Sequence, residues 1–157
     1  MAATIMVGHD PKPRRIGVSG TYVAASAVLA GQIVSFAADG VSRTVAPATS
    51  SLGSPAGVAA YGAAAGESFL VYGNGSEVKI ELSADNGTAD AGDWLGVSTV
   101  AGAAIVQDGA IAAHASEGAG LFPIGQAQED IAAGAATVGG KGYVLLNMTP
   151  IWTAATG

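Results

Sequence analysis

The feature that most constrains this chain is an internal repeat. Pro55, Gly57, Ala59, Ala64, Ala65 and Gly66 recur at a constant offset of 68 as Pro123, Gly125, Ala127, Ala132, Ala133 and Gly134. Upstream, Ala30-Gly31-Gln32-Ile33-Val34 resembles Ala91-Gly92-Asp93-Trp94-Leu95, and Asp39-Gly40-Val41 resembles Asp108-Gly109-Ala110. The offsets of 61 and 69 there place loop insertions between two otherwise comparable halves. Self-similarity at a fixed offset reads as an internal duplication. At 157 residues such a chain makes one ordinary domain or two very small lobes sharing a core, and we expect one compact unit.

Within each half, short apolar stretches with β-branched residues alternate with Gly, Asn, Asp and Pro punctuation, which is strand-and-turn chemistry. Ser68–Tyr72 and Glu77–Leu82 flank Gly73-Asn74-Gly75-Ser76 and read as a tight hairpin. In the second of these strands Glu77, Lys79 and Glu81 alternate with Val78, Ile80 and Leu82, so charge occupies one face and an apolar row the other. Further strands are expected at Thr21–Ala27, Gln32–Ala37, Val41–Val45, Trp94–Thr99, Ala103–Gln107 and Tyr143–Met148. Gln126–Ala133 is the single stretch with the makings of a helix, two turns stopped at Gly134. Regular short strands favour a sandwich or barrel. The fold class is therefore all-β: a small β-barrel or β-tulip-like domain over residues 21–148, an extended Pro/Gly-punctuated arm over 1–20, and a tail over 149–157.

Composition narrows function by what it omits. Half the residues are apolar, with Ala the commonest of them, Gly adds 24 more and only nine residues are aromatic, so the core must be small side chains and close backbones. Such a core gains little burial per residue and benefits from association. Charged residues make up 11%, well under the usual quarter. The net charge of −6 divides into +2 over residues 1–45, from Lys12, Arg14, Arg15 and Arg43 against Asp10 and Asp39, and −8 over the remainder. An acidic body argues against nucleic acid as a partner, since counterion release needs a basic face. There is no cysteine, hence no disulfide framework and no thiolate chemistry. The uncharged run Ile16–Ala38 follows three cations, as a signal or spanning helix would, but Gly17, Ser19, Gly20, Thr21, Ser26, Gly31, Gln32 and Ser35 interrupt it. We expect no membrane partner.

Enzyme readings fail on inventory. His9 and His114 are the only side chains that titrate near neutrality, His9 lies in the arm, and no Ser stands in a Gly-x-Ser-x-Gly elbow. Asp85, Asn86, Asp90 and Asp93 cluster in one loop, yet their spacing is not that of an EF-hand, and a solvated turn explains them. Gly139-Gly140-Lys141-Gly142 lacks the Gly-Lys-Ser/Thr close of a phosphate loop. We expect no cofactor and no catalytic residue. Sequons stand at Asn74, Asn86 and Asn147, and two of the three double as Asn-Gly turns. Trp94, Tyr61, Phe69 and Phe122 are expected mostly in the core. Trp152 beside Ile151 would be costly to expose and is expected to pack on the body or on a neighbouring subunit.

The strand lead-ins Ala30-Gly31-Gln32 and Ala91-Gly92-Asp93, the later Pro123-Ile124-Gly125-Gln126-Ala127 with Ala132-Ala133-Gly134-Ala135, and the closing Tyr143-Val144-Leu145-Leu146-Asn147 resemble the capsid decoration (cement) proteins of tailed phages and related tailed viruses. That family uses Ala-Gly-Asp lead-ins, a Gly-x-Ala segment before Ala-Ala-Gly, and a final aliphatic strand, and the likeness runs over about residues 20–148. The resemblance implies a homotrimer on the outer surface of a virion. It would sit at threefold or quasi-threefold positions, bound to the major capsid protein and stabilising the shell. Lys12, Arg14, Arg15 and Trp152 are the residues expected to touch partners, with the two arginines pairing acidic capsid groups. The rival is a ligand- or glycan-binding β-module of a virion spike, fibre or cell surface.

Overall fold

The computed structural model describes residues 8–37, 43–49, 54–83, 88–106, 123–135 and 138–148. They form ten strands: β1 (Ser19–Ala24), β2 (Ile33–Phe36), β3 (Thr44–Pro47), β4 (Pro55–Ala59), β5 (Ser68–Tyr72), β6 (Glu77–Glu81), β7 (Trp94–Val97), β8 (Ala104–Val106), β9 (Pro123–Ala127) and β10 (Lys141–Leu146). The fold is all-β, as the sequence suggests. The first five strands close a barrel in the order β1-β3-β2-β4-β5, and the last five form a sheet in the order β6-β10-β9-β7-β8. The uncharged run that invited a membrane test is split between β1 and β2, and among the described residues no helix is long and apolar enough to cross a bilayer.

The two orders are one order. Matching β1 to β6, β2 to β7, β3 to β8, β4 to β9 and β5 to β10 superposes every pairing, including its irregularities. In β2–β4, Ile33 pairs Val58, Val34 pairs Gly57, and a bulge follows before Ser35 meets Pro55. In β7–β9, Trp94 pairs Gln126, Leu95 pairs Gly125, and the same bulge precedes Gly96 and Pro123. The barrel closes through parallel β1–β3 pairing that ends at Ala24 and Val45, and the second lobe has the corresponding parallel bridge, Leu82 with Ala104. Outlying bridges match too, Val28 with Ala63 and Ala89 with Ile131. The duplicated Gly57 and Gly125 sit at φ 153° and 155°, and a Cβ on either would meet a carbonyl oxygen of the neighbouring strand, Tyr72 O at 2.0 Å or Leu145 O at 2.1 Å. Only glycine fits there. The Asp39 and Asp108 segments of the repeat lie outside the described residues.

Side-chain alternation explains why this sequence is so short of charge. Val34, Ala59, Phe69 and Val71 point into the barrel with Ala24, Val28 and Val45. Their neighbours Ile33, Val58 and Tyr72 point the other way, into a larger cluster with Val78, Ile80, Leu82, Leu95, Ile124, Val144 and Leu146 of the second lobe. Strands β2, β4 and β5 are thus buried on both faces, and two lobes share one core. Interior volume is balanced differently in each lobe. Where the barrel has Phe69 over Ala63, the second lobe has Gly142 under Ile131, whose Cγ1 lies 2.4 Å from where a Cβ on Gly142 would be. A large residue and a small one have exchanged places.

Two expectations are corrected. Strands β5 and β6 exist where expected but do not pair with each other. Both edges of β5 are taken by β1 and β4, and β6 pairs β10. The Gly73–Ser76 turn has Ser76 N–H donating to Gly73 O at 3.1 Å and a positive φ at Gly75 (83°) but not at Asn74. A two-residue hairpin of type I′ needs both, so this turn instead carries the chain from one lobe to the other. The second correction concerns Gln126–Ala133: its first two residues finish β9 and Ile131 bridges Ala89, so tertiary pairing overrides the local helical pattern.

Candidate partner-binding surfaces

The segment before β1 lies along the edge of β6 that β10 leaves free. His9 N–H donates to Ala30 O at 2.8 Å, Lys79 N–H to Pro11 O at 2.7 Å, Arg14 N–H to Glu77 O and Glu77 N–H to Arg15 O, each at 2.9 Å. Farther on, Gly17 N–H donates to the buried Ser76 Oγ at 2.9 Å and Val18 N–H to Asn74 O at 2.9 Å. The alternation of charge along β6 makes this docking possible: Val78 and Ile80 enter the core, leaving Glu77, Lys79 and Glu81 to face residues 9–15.

Three of the residues expected to touch partners are on this segment, and the structure places each. The Arg14 guanidinium pairs with Glu77 Oε2 and stacks 3.6 Å over the Tyr143 ring of β10, with the Lys79 ammonium 5.7 Å from the same ring. Lys12 has a left-handed backbone (φ 39°), its N–H bonded to Asp10 Oδ1, and its carbonyl accepts from Tyr143 Oη–H at 3.0 Å. Arg15 bridges Glu77 through its backbone, and the residue is exposed. The fourth, Trp152, lies outside the described residues, as do His114, Phe122, Asp85 and Asn86.

Sequence reading missed the role of His9. Its ring is half-buried, with Nε2 2.9 Å from Lys79 O; as the donor there, Nε2 carries the proton and leaves Nδ1 without a partner. Burial lowers the imidazole's affinity for a proton below the ordinary value of 6.5. The Lys79 carbonyl and the Glu81 carboxylate oppose that shift, and Lys141 and Lys79 add to it. Glu81 is 3% exposed, and its Oε1 is 3.4 Å from Lys141 Nζ. The signal available in sequence was the charged face of β6, which needed something to cover it.

The loop before β7, read as a turn rather than a cation site, uses its carboxylate as a cap: Asp93 Oδ2 accepts from Asp90 N–H at 2.9 Å. Gln32 Oε1 does the same for Leu29 N–H at 2.8 Å in the first lobe, so the repeated lead-in is a structural device. Asn74 of the first sequon accepts from Met148 N–H at 2.7 Å, and its Ser76 is fully buried.

On the barrel side, a hollow of about 300 Å³ opens between β1, the start of β4 and the end of the chain's last described segment. Val18, Tyr22, Phe36, Val71 and Met148 supply apolar wall and Arg43 the only charge. Tyr22 and Phe36 meet edge to face with centroids 5.9 Å apart, and the Arg43 guanidinium stands 4.3 Å over Tyr22 while Nε donates to Thr21 O. Phe36 is 43% and Val18 69% exposed, so this hollow sets exposed apolar side chains beside a cation.

No protein-family model matches the chain, and no curated protein sequence matches it. Among solved structures, the chain is similar to the N base of the head fibre protein gp8.5 of bacteriophage phi29, with a TM-score of 0.52 and 19% identity, over 85% of this chain and 97% of that one. At that identity the likeness is one of fold.

Proposed function

We propose that this protein is a non-catalytic structural component of a tailed-phage virion. In this reading it binds the outside of the capsid as a homotrimer at threefold or quasi-threefold positions, with the major capsid protein as partner, and braces the shell. The observation that carries it is the likeness in fold to a phage head-fibre base, over 85% of this chain and 97% of that one. The sequence resemblance to decoration proteins points to the same kind of particle. The rest of the molecule supports this. Its polar groups are spent on turn caps and on the docked N-terminal segment, and its surface has little charge to repel a neighbour. Attachment would be multivalent, each subunit adding a modest interface and a symmetric oligomer engaging several capsid chains at once. No cofactor, nucleic acid or membrane enters this mechanism.

The test is native mass followed by co-sedimentation with capsid shells stripped of surface proteins. The reading expects a species of about three times 15.1 kDa that pellets with shells and saturates. A monomer that stays in the supernatant contradicts it. The Tyr22–Phe36 pair beside Arg43 favours a second reading, a glycan-binding module of a virion fibre, because aromatic faces with one polar group suit sugar rings. Binding to a glycan panel, lost on Tyr22→Ala, would move that reading to first place.

A further inference from the structure

The segment that closes the free edge of β6 is fastened at one end by a half-buried imidazole. His9 reaches both lobes: its backbone N–H donates to Ala30 O, its ring lies against Gly31 of the first lobe's lead-in, and its Nε2 meets Lys79 O of β6. We propose that His9 is the catch of a strap: residues 8–15 stay closed over the β6 edge while its imidazole is neutral, and a proton on that ring opens them as a unit while both lobes stay folded.

The place has no use for a second proton. Nε2 already carries one to the Lys79 carbonyl, so the next would go to Nδ1, which is buried without a hydrogen-bond partner. The charged groups around the ring divide. The Lys79 ammonium from β6 and the Lys141 ammonium from β10 repel an imidazolium, and the Glu81 carboxylate from β6 attracts it. Glu81 is itself engaged by Lys141, Oε1 to Nζ at 3.4 Å, and burial of the ring outweighs its pull. On the strap, Asp10 Oδ1 is taken by the Lys12 N–H, and Arg14 pairs with Glu77 at the far end. The Ala30-Gly31 lead-in brings no charge. A group that binds a proton more weakly when covered is uncovered by that proton. Closure is therefore strongest above 6.5, weakens as pH falls from there towards the lowered value, and changes no further below it.

The strap is also built to let go locally. Its backbone bonds to β6 lie along one edge, Pro11 O with Lys79 N–H, Arg14 N–H with Glu77 O and Arg15 O with Glu77 N–H. Of residues 8–15 only Pro11 is fully buried and none belongs to either apolar cluster, so opening leaves both cores intact. Lys12 is held at φ 39°, a conformation unfavourable for a residue with a side chain, which the free segment abandons. What opening uncovers is the backbone of Glu77 and Lys79, an edge able to take an extended strand.

Amide exchange within β6 reads the strap directly. The N–H groups of Glu77 and Lys79 are bonded to the strap, whereas those of Val78 and Ile80, alternating with them, face β10. In the full-length protein, protection factors corrected for the intrinsic effect of pH should fall selectively at Glu77 and Lys79 between about pH 7.5 and about pH 5. The fall should reach up to roughly tenfold for each unit of pH below 6.5, with Val78 and Ile80 unchanged. In His9→Gln, whose amide still donates to Lys79 O, protection at Glu77 and Lys79 should be the same at both pH values, whatever its level. Equal protection at both pH values in the unsubstituted protein overturns the proposal. So does a loss shared by Val78 and Ile80, which is unfolding of the lobe. A selective loss that persists in His9→Gln also overturns it, because the catch is then another group. None of these readouts involves a capsid shell, so the outcome is independent of the function proposed above.

Discussion

At the scale of residues, His9 is where pH should act on this molecule. Its imidazole is held neutral by burial, so the unfolded chain binds the proton more tightly than the folded one. Stability therefore rises with pH between the lowered folded value and 6.5 and levels off above it. The melting temperature should fall as pH drops below that value, and His9→Gln, which keeps a donor for Lys79 O, should flatten that part of the profile. An unchanged slope in the variant would assign the effect to other groups. The duplicated glycines make a second expectation. Gly57→Ala and Gly125→Ala should each cost roughly 2–3 kcal/mol in denaturant unfolding, since both place a methyl group against a strand carbonyl at a strained φ. Similar losses at the two positions would show that the halves are equivalent in energy as well as in pairing. Both glycines were legible as members of the repeat, whereas His9 was not: nothing local in residues 8–15 announces that β6 will bury it.

At the scale of elements, the sequence placed most strands within a few residues, because turn residues mark their ends whatever their partners. Pairing was less accessible. The hairpin around Asn74-Gly75 was a sound local inference, and it fails because β1 returns from 45 residues upstream to take the edge that β6 would have used. The repeat did carry that information: a hairpin there would have broken the equivalence of β1 with β6. The repeat also hides its most informative difference, since Phe69 and Ala63 align with Gly142 and Ile131 and look like mismatches. They are a compensated exchange. Ile131→Ala should leave a void beside Gly142 and cost roughly 2–4 kcal/mol, with Ala63→Ile in the barrel also destabilising because Phe69 already fills that space. A neutral Ile131→Ala, measured by chemical denaturation, would contradict the balance of volumes described here.

At the scale of the whole molecule, two small lobes with few rings and many alanines share one core, and strands buried on both faces leave little side chain for surface chemistry. The low charge of the sequence has that structural origin in part. What remains outside is an N-terminal segment with its cations over Tyr143 and Glu77, and an apolar hollow on the barrel. Composition and repeat together disclosed the class of the fold. They did not disclose that Arg14 finds an acid on its own chain, since that needs the register of residues 9–15 on β6. Should the segment engage a capsid, Arg14 would exchange Glu77 for an external acid, an exchange that Arg14→Ala separates from shell binding through Lys12 and Arg15. The most direct test of the proposed role is a cryo-electron microscopy reconstruction of stripped, expanded shells incubated with the purified full-length protein. Added density with threefold symmetry on the outer surface, at threefold or quasi-threefold positions and accommodating three two-lobed subunits, is the result expected. A reconstruction indistinguishable from bare shells at saturating protein would contradict it.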